Sequence, residues 1–171
     1  MVHAERTAAA SGIAYTILRP FAFMSNARRW SDQARAGNQI RLPFESRAEP
    51  LIDPDDIGRV AAAILSAPDQ HSGKTYQLSG PQLLRPSDCV RIVAEAIGRP
   101  LEFTALSNEE WRVEMSTKLP AEIIQAFIES NTDESFIDLI DARNDNVEEL
   151  TGSPPRTFET LTREHKTAFM A

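Results

Sequence analysis

The stretch Ser11-Gly12-Ile13-Ala14-Tyr15-Thr16-Ile17-Leu18-Arg19-Pro20 constrains the fold of this chain more than any other. Between Gly12 and Pro20 the residues are mostly β-branched, aromatic or aliphatic. The run is too short for a core helix, so it predicts a strand over residues 13–18. Its apolar side chains fall on both faces, as they do when helices cover both sides of a parallel sheet. Parallel strands are joined by crossovers, usually helical. Residues 3–10 supply a short helix, with Gly12 suited to the left-handed position just past its end. The chain therefore opens on the second half of a helix-then-strand crossover.

The remaining pattern is α/β for roughly the first hundred residues and mostly helical afterwards. Residues 21–36 read as one helix ending at Gly37-Asn38, and residues 40–52 as short extended pieces around Pro43 and Pro50. Asp53 is a good N-cap, Pro54 suits the first helical position, and Asp55 and Asp56 complement the helix dipole. Ile57, Val60, Ala61, Ile64 and Leu65 then follow helical spacing. A strand is expected over residues 75–79. A helix follows from Pro86 to Gly98 with Val90, Val93, Ala94 and Ile97 on one face, and then a strand in Pro100-Leu101-Glu102-Phe103-Thr104-Ala105-Leu106. Ser107 and Glu110 form a capping box. Pro120 opens a helix with Ile123, Ile124, Phe127 and Ile128. Asp145, with Glu148 three residues on, caps a short helix. Thr157 caps a last one with Phe158, Leu161, His165 and Phe169 on one side. The expected division is a sheet-bearing part, residues 1–82, and a mostly helical part, residues 83–171.

Charge and cysteine content narrow the function. The chain has 25 acidic and 18 basic residues, a net charge of −7, which argues against a nucleic-acid or anionic-membrane surface. No apolar run approaches the ~20 residues of a membrane span, and no secretory signal is visible. One cysteine, Cys89, precludes an internal disulfide and fits a reducing cytoplasm. It lies within the apolar Pro86 helix and reads as a buried core residue.

Few motifs carry chemistry. Asp53, Asp55 and Asp56 read as helix-capping acids, since the oxygen-ligand spacing of a calcium loop is lacking. His3, His71 and His165 are far apart and have no ligand spacing, so no metal is expected. With 7 glycines, the chain has no glycine-rich phosphate cradle. The segment after Leu18 is more informative. Open α/β sheets bind ligands beyond the carboxyl ends of their strands. There Phe21, Phe23 and Met24 are apolar groups for a crevice and Asn26 a polar handle, although the pattern alone favours the same aromatics packing the helix that follows.

The segment Glu5 to Pro20, ERTAAASGIAYTILRP, resembles the corresponding segment of the NmrA-like family, atypical short-chain dehydrogenases/reductases. The likeness continues in order through FAFMSN, LIDPDDIGRVAAAILSAP, GKTYQLSGPQLL and DCVRIVAEAIGRPLEF to VEELTGSPPRTFETLTREHKTAF. It implies the C-terminal part of a doubly wound Rossmann-type fold with a mostly helical substrate-side region. It also implies an NAD or NADP cofactor and a small-molecule substrate, a quinone or another small carbonyl or unsaturated compound. By this resemblance Pro20, Phe21 and Ala22 lie against the nicotinamide end of the dinucleotide. Phe23, Met24, Asn26, Trp30 and Trp111 border the substrate pocket. The Lys of the Tyr-x-x-x-Lys pair of related enzymes aligns with Met1, and its Tyr falls upstream. The glycine-rich half is not in this sequence. The chain is thus expected to be the substrate-side half of an NAD(P)H-dependent oxidoreductase, inactive alone. A dinucleotide-sensing regulator or an inactive remnant is the alternative. The edge of the strand at 13–18 is expected to self-associate or to pair with a chain carrying the Rossmann half.

Overall fold

A computed structural model describes residues 2–132 and 143–170. Strand β1 (Ile17–Pro20) pairs in parallel with β3 (Thr75–Leu78), Ile17 opposite Thr75. Strand β2 (Gln39–Pro43) pairs in parallel with β4 (Glu102–Leu106). Each pair is joined by a helical crossover, as parallel strands require. The crossover from β1 to β3 contains α3 (Pro54–Ser66), and that from β2 to β4 contains α5 (Pro86–Ile97). The α/β class holds. Among the described residues no helix is long and apolar enough to cross a membrane.

The opening strand corrects the sequence reading. Helix α1 (Val2–Ala10) ends as expected, with Gly12 at φ 73°. The strand, however, begins at Ile17, and Ile13 is 73% exposed. Its start is set by its partner: Ile17 N–H donates to Lys74 O at 2.9 Å, just where β3 begins. Upstream, Gly73 N–H donates to Tyr15 O at 2.7 Å and Thr16 Oγ1 to His71 O at 2.8 Å, so residues 15–16 follow a turn and not a ladder. Among the described residues β1 is paired on one side. Its other edge carries Arg19 and Pro20, a charge and an imino acid that blunt an open edge. Arg19 grips Glu5 of α1 through two nitrogens, at 2.9 and 2.5 Å.

The expected helix over residues 21–36 is three pieces. Phe23 bridges Ile52 in extended conformation, with Ile52 N–H donating to Ala22 O and Met24 N–H to Ile52 O, both at 2.9 Å. A 3₁₀ helix, Met24–Trp30, follows, and then α2 (Ser31–Ala36). The buried residues of the 3₁₀ helix are Met24, Ala27 and Trp30, every third position. A 3₁₀ helix stacks i over i+3, so this spacing buries one narrow stripe that an α-helix would spread.

Local capping signals were reliable elsewhere. Asp53 accepts from Asp55 N–H at 3.0 Å at the start of α3, and Gly98 closes α5 at φ 65°. The N-terminus of α5 gains a second acid from afar, since Glu45 accepts Ser87 N–H at 3.0 Å. After the short α4 (Pro68–His71) and β3, the helical region comprises α6 (Asn108–Met115), α7 (Ala121–Thr132), α8 (Asn146–Thr151) and α9 (Phe158–Glu164). Ser107 and Glu110 form the capping box of α6. Asp145 sits at the N-cap of α8 without a capping bond, and Asn144 Oδ1 accepts Asn146 N–H instead, at 3.2 Å. Four side chains fall off their expected faces. Leu65 is 76% exposed, Ile123 and Phe127 are also exposed, and His165 is exposed because α9 stops at Glu164 and a 3₁₀ turn, Lys166–Phe169, follows.

The largest core cluster packs Met24, Trp30, Ile40, Val90, Phe158 and Phe169. A second, with Ile52, Val60, Ile64, Leu78 and Val147, lies against β1 and β3. A third holds Leu106, Trp111, Ile124 and Ile128.

Candidate functional site

Between the first and third clusters, beyond the carboxyl ends of β1 and β2, lies a cavity of about 610 Å³. Phe23, Met24 and Trp30 reach it from the segment after β1, Phe44 from the end of β2, Trp111 from α6 and Phe127 from α7. Phe44 turns the chain out of β2 at φ 62°, a left-handed conformation that is rare for a bulky residue and costs on the order of 1–3 kcal/mol. The turn sets its ring 5.6 Å from that of Trp111, which lies 5.7 Å from Phe127. The result is an aromatic wall suited to a flat apolar molecule.

The structure gathers most of the residues singled out in the sequence. Ala22, Phe23, Met24, Asn26, Trp30 and Trp111 all line the cavity. Pro20 and Phe21 do not. Pro20 is the last residue of β1, opposite Leu78, and Phe21 N–H donates to Leu78 O at 3.0 Å. Sequence reasoning missed Phe44, Arg47, Glu49 and Phe127, which arrive through the turn after β2 and the far face of α7. Phe127 had been assigned to the core stripe of its helix.

Several polar groups in the wall are held in pairs. Arg47 Nη1 donates to Ser130 O at 2.7 Å and Asn131 Oδ1 at 2.9 Å, tying the loop after β2 to the end of α7. Its Nε lies 3.0 Å from Glu49 Oε1, close enough for an ion pair but not aligned as a hydrogen bond. Burial pushes the Glu49 carboxyl above its ordinary range, and the Arg47 charge pulls it partly back. Arg41 and Glu114 pair at 2.8 Å. Among the described residues no cluster of three His, Cys, Asp or Glu could hold a metal.

Cys89 is in the cavity floor but 7% exposed. Burial pushes its thiol up to about 12, with Asp88, Glu49, Glu159 and Glu45 acting the same way. At pH 8 about one thiol in ten thousand is then ionised. Alkylation of the native protein by iodoacetamide should be at least about a hundredfold slower than in urea. The same shift works against folding in alkali. Above pH ~8.5 the unfolded thiol loses its proton while the native one keeps it, so this contribution to stability declines until about pH 12. Denaturant titrations of the wild type and Cys89→Ala across that range measure it.

Gly80 is the one glycine whose added Cβ would meet other atoms within 4 Å, and those atoms are Leu51 backbone and the Met24 side chain, not a vacant site.

Comparison with known proteins decides the family. The NmrA-like family profile matches residues 2–160. The chain belongs to the NmrA-like family. Among curated relatives it is 30% identical over 165 residues to (4-alkanoyl-5-oxo-2,5-dihydrofuran-3-yl)methyl phosphate reductase of Streptomyces griseus, covering 96% of this chain and 58% of that protein. It is 29% identical to NAD(P)H azoreductase of Xenophilus azovorans over 162 residues, covering 94% of this chain and 56% of that one. Among solved structures, the NADPH-dependent quinone oxidoreductase of Escherichia coli complexed with NADPH has the same fold. Its TM-score is 0.77 at 22% identity, covering 97% of this chain and 57% of that one. This NmrA-like chain thus spans little more than half the length of the relatives it matches, and its fold is that of NAD(P)-binding Rossmann-like reductases.

Proposed function

We propose that these residues are the substrate side of an NAD(P)H-dependent reductase whose glycine-rich dinucleotide cradle lies outside this sequence, in the same polypeptide or another. The substrate is a quinone or another small conjugated carbonyl compound. The observation that supports this best is the aromatic cavity at the carboxyl ends of two parallel strands, where open α/β sheets take their ligands. In this reading Pro20, Phe21 and Ala22 lie toward the nicotinamide end, which supplies the reducing chemistry. Trp30, Phe44 and Trp111 orient the substrate, and the apolar wall keeps water out.

The half that supplies the cradle docks at the unpaired edge of β1 and at the apolar groove beside it, which Leu18, Ile64 and the exposed Leu65 line together. Without that half, self-association runs through the groove and its exposed Leu65, since Arg19 and Pro20 blunt the strand edge itself. Leu65 is a cleaner probe of this than Thr16, whose hydroxyl holds the His71 carbonyl. Sedimentation at several concentrations should show the Leu65→Lys variant less associated than the wild type, and equal behaviour would remove this groove from the account.

Alone, the 171 residues should bind NADPH no better than millimolar, because no pyrophosphate cradle is present. Joined to the glycine-rich half of a relative, they should support menadione-dependent NADPH oxidation. Trp111→Ala should lower kcat/KM about tenfold, the value of one lost aromatic contact. No oxidation above that of the glycine-rich half alone would refute the reading, and NADPH binding without turnover would favour a regulatory role.

A further inference from the structure

The charges in the cavity wall do not balance. Among the described residues its cations are Arg29, Arg41, Arg47 and Lys118, and its acids Glu49 and Glu114. Each acid has its own arginine, Glu49 with Arg47 and Glu114 with Arg41. Arg29 and Lys118 remain, and neither side chain has a hydrogen-bond or ion-pair partner among the described residues. This occurs in a chain with a net charge of −7, where a general surplus of bases cannot account for it.

The two cations also sit in related places. Arg29 immediately precedes Trp30, and its side chain is exposed while the indole is buried. Lys118 follows α6, which carries Trp111, and Met115 and Leu119 on either side of it line the same cavity. Each tryptophan is thus accompanied, on its own segment, by an exposed base at the solvent end of the wall. Low-dielectric walls focus the field of such charges on the cavity they flank, while long stems let the charged heads stay hydrated until a ligand arrives.

The geometry points to a substrate with an anionic group on a flat apolar body, the body against Trp30 and Trp111 and the anion received by Arg29 and Lys118. This rests on the cavity being the substrate pocket and names the class of molecule that fills it. Carboxylate, sulfonate and phosphate share the required chemistry.

The test compares 2-naphthoate with 2-naphthamide, nearly equal in shape and unequal in charge, by ligand-detected NMR titration of the 171-residue chain. Naphthoate should bind about five- to tenfold more tightly at low salt, as expected for two exposed cations at a cavity mouth. The preference should shrink in about 0.5 M KCl and fall below about twofold in the Arg29→Gln/Lys118→Gln variant. Both side chains are exposed, so this variant should fold, and unchanged naphthamide affinity verifies it. Equal binding of the two ligands to the wild type, or a preference that survives in the variant, overturns the inference and leaves the pocket reading standing. Failure of both ligands to bind overturns both.

Discussion

Gly80→Ala will leave little or no folded protein. A Cβ at this position would lie 1.7 Å from Leu51 O and 2.8 Å from Leu51 C, with Met24 Cε at 3.3 Å. A flexible side chain could yield, but here the obstacle is backbone held on several sides. Gly80 N–H donates to Pro50 O at 3.2 Å, and the neighbouring Ile52 is stitched to Ala22 and Met24. Moving Leu51 would therefore break the seam that carries the 3₁₀ helix and the cavity floor. Overpacking against movable side chains costs about 1–3 kcal/mol, and immobile backbone puts this case above that range. Domains have only about 5–15 kcal/mol to lose. The expected result is aggregation on expression, or a urea midpoint lowered by more than half. By contrast, Gly58→Ala, in the middle of α3 with open space around it, should be neutral or stabilising by up to about 1 kcal/mol.

Asp56→Ala should cost about 3–5 kcal/mol, because it removes two hydrogen bonds to a buried carboxylate, each worth about 1.5–3 kcal/mol. Asp56 is fully buried. Its Oδ2 accepts Arg156 N–H at 2.8 Å and its Oδ1 accepts from Arg59 Nη2 at 2.5 Å. Beside it Asp53 Oδ2 accepts from Arg156 Nε at 2.7 Å, while Arg156 also reaches Glu164 and Arg59 reaches Pro154 O. The acids that begin α3 thus anchor the segment around Arg156, and that segment delivers the buried Phe158 to the cavity wall. Glu164→Ala removes the half-exposed end of the same network and should cost under about 1 kcal/mol. Urea unfolding of both variants measures the contrast. Similar costs would mean that the network is no more than surface pairing.

The acids of α3 illustrate what the sequence makes legible. Asp53 as N-cap follows from its place before Pro54 and an apolar stripe, and the structure agrees. That Asp56 is also the receptor for a segment a hundred residues away is a tertiary fact with no local signature. The same division runs through the fold. Helices α3, α5 and α6 and strands β3 and β4 were readable from caps, glycines and periodicity. The start of β1 was not, because it depends on the register against Thr75. The 3₁₀ helix left a trace in the spacing of Met24, Ala27 and Trp30, but the apolar Phe21 and Phe23 just before them blurred its start. At the site, the segment after β1 could be singled out by its position at a strand's carboxyl end. Trp111 came from family likeness. Arg47, Glu49 and Phe44 depend on a left-handed turn that a phenylalanine does not advertise.

The most direct test of the account uses the chain's own tryptophans. There are two, Trp30 and Trp111, and both line the cavity. A ¹⁵N-labelled sample therefore gives one indole N–H signal from each side of the proposed pocket, assigned by Trp30→Phe. On titration with 2-naphthamide, both indole signals should shift together along one saturable curve, while backbone signals of Ala61 and Leu65, in the groove beside β1, stay in place. Shifts confined to that groove, or saturable binding that leaves both indoles unmoved, would contradict the claim that this cavity is where the substrate binds.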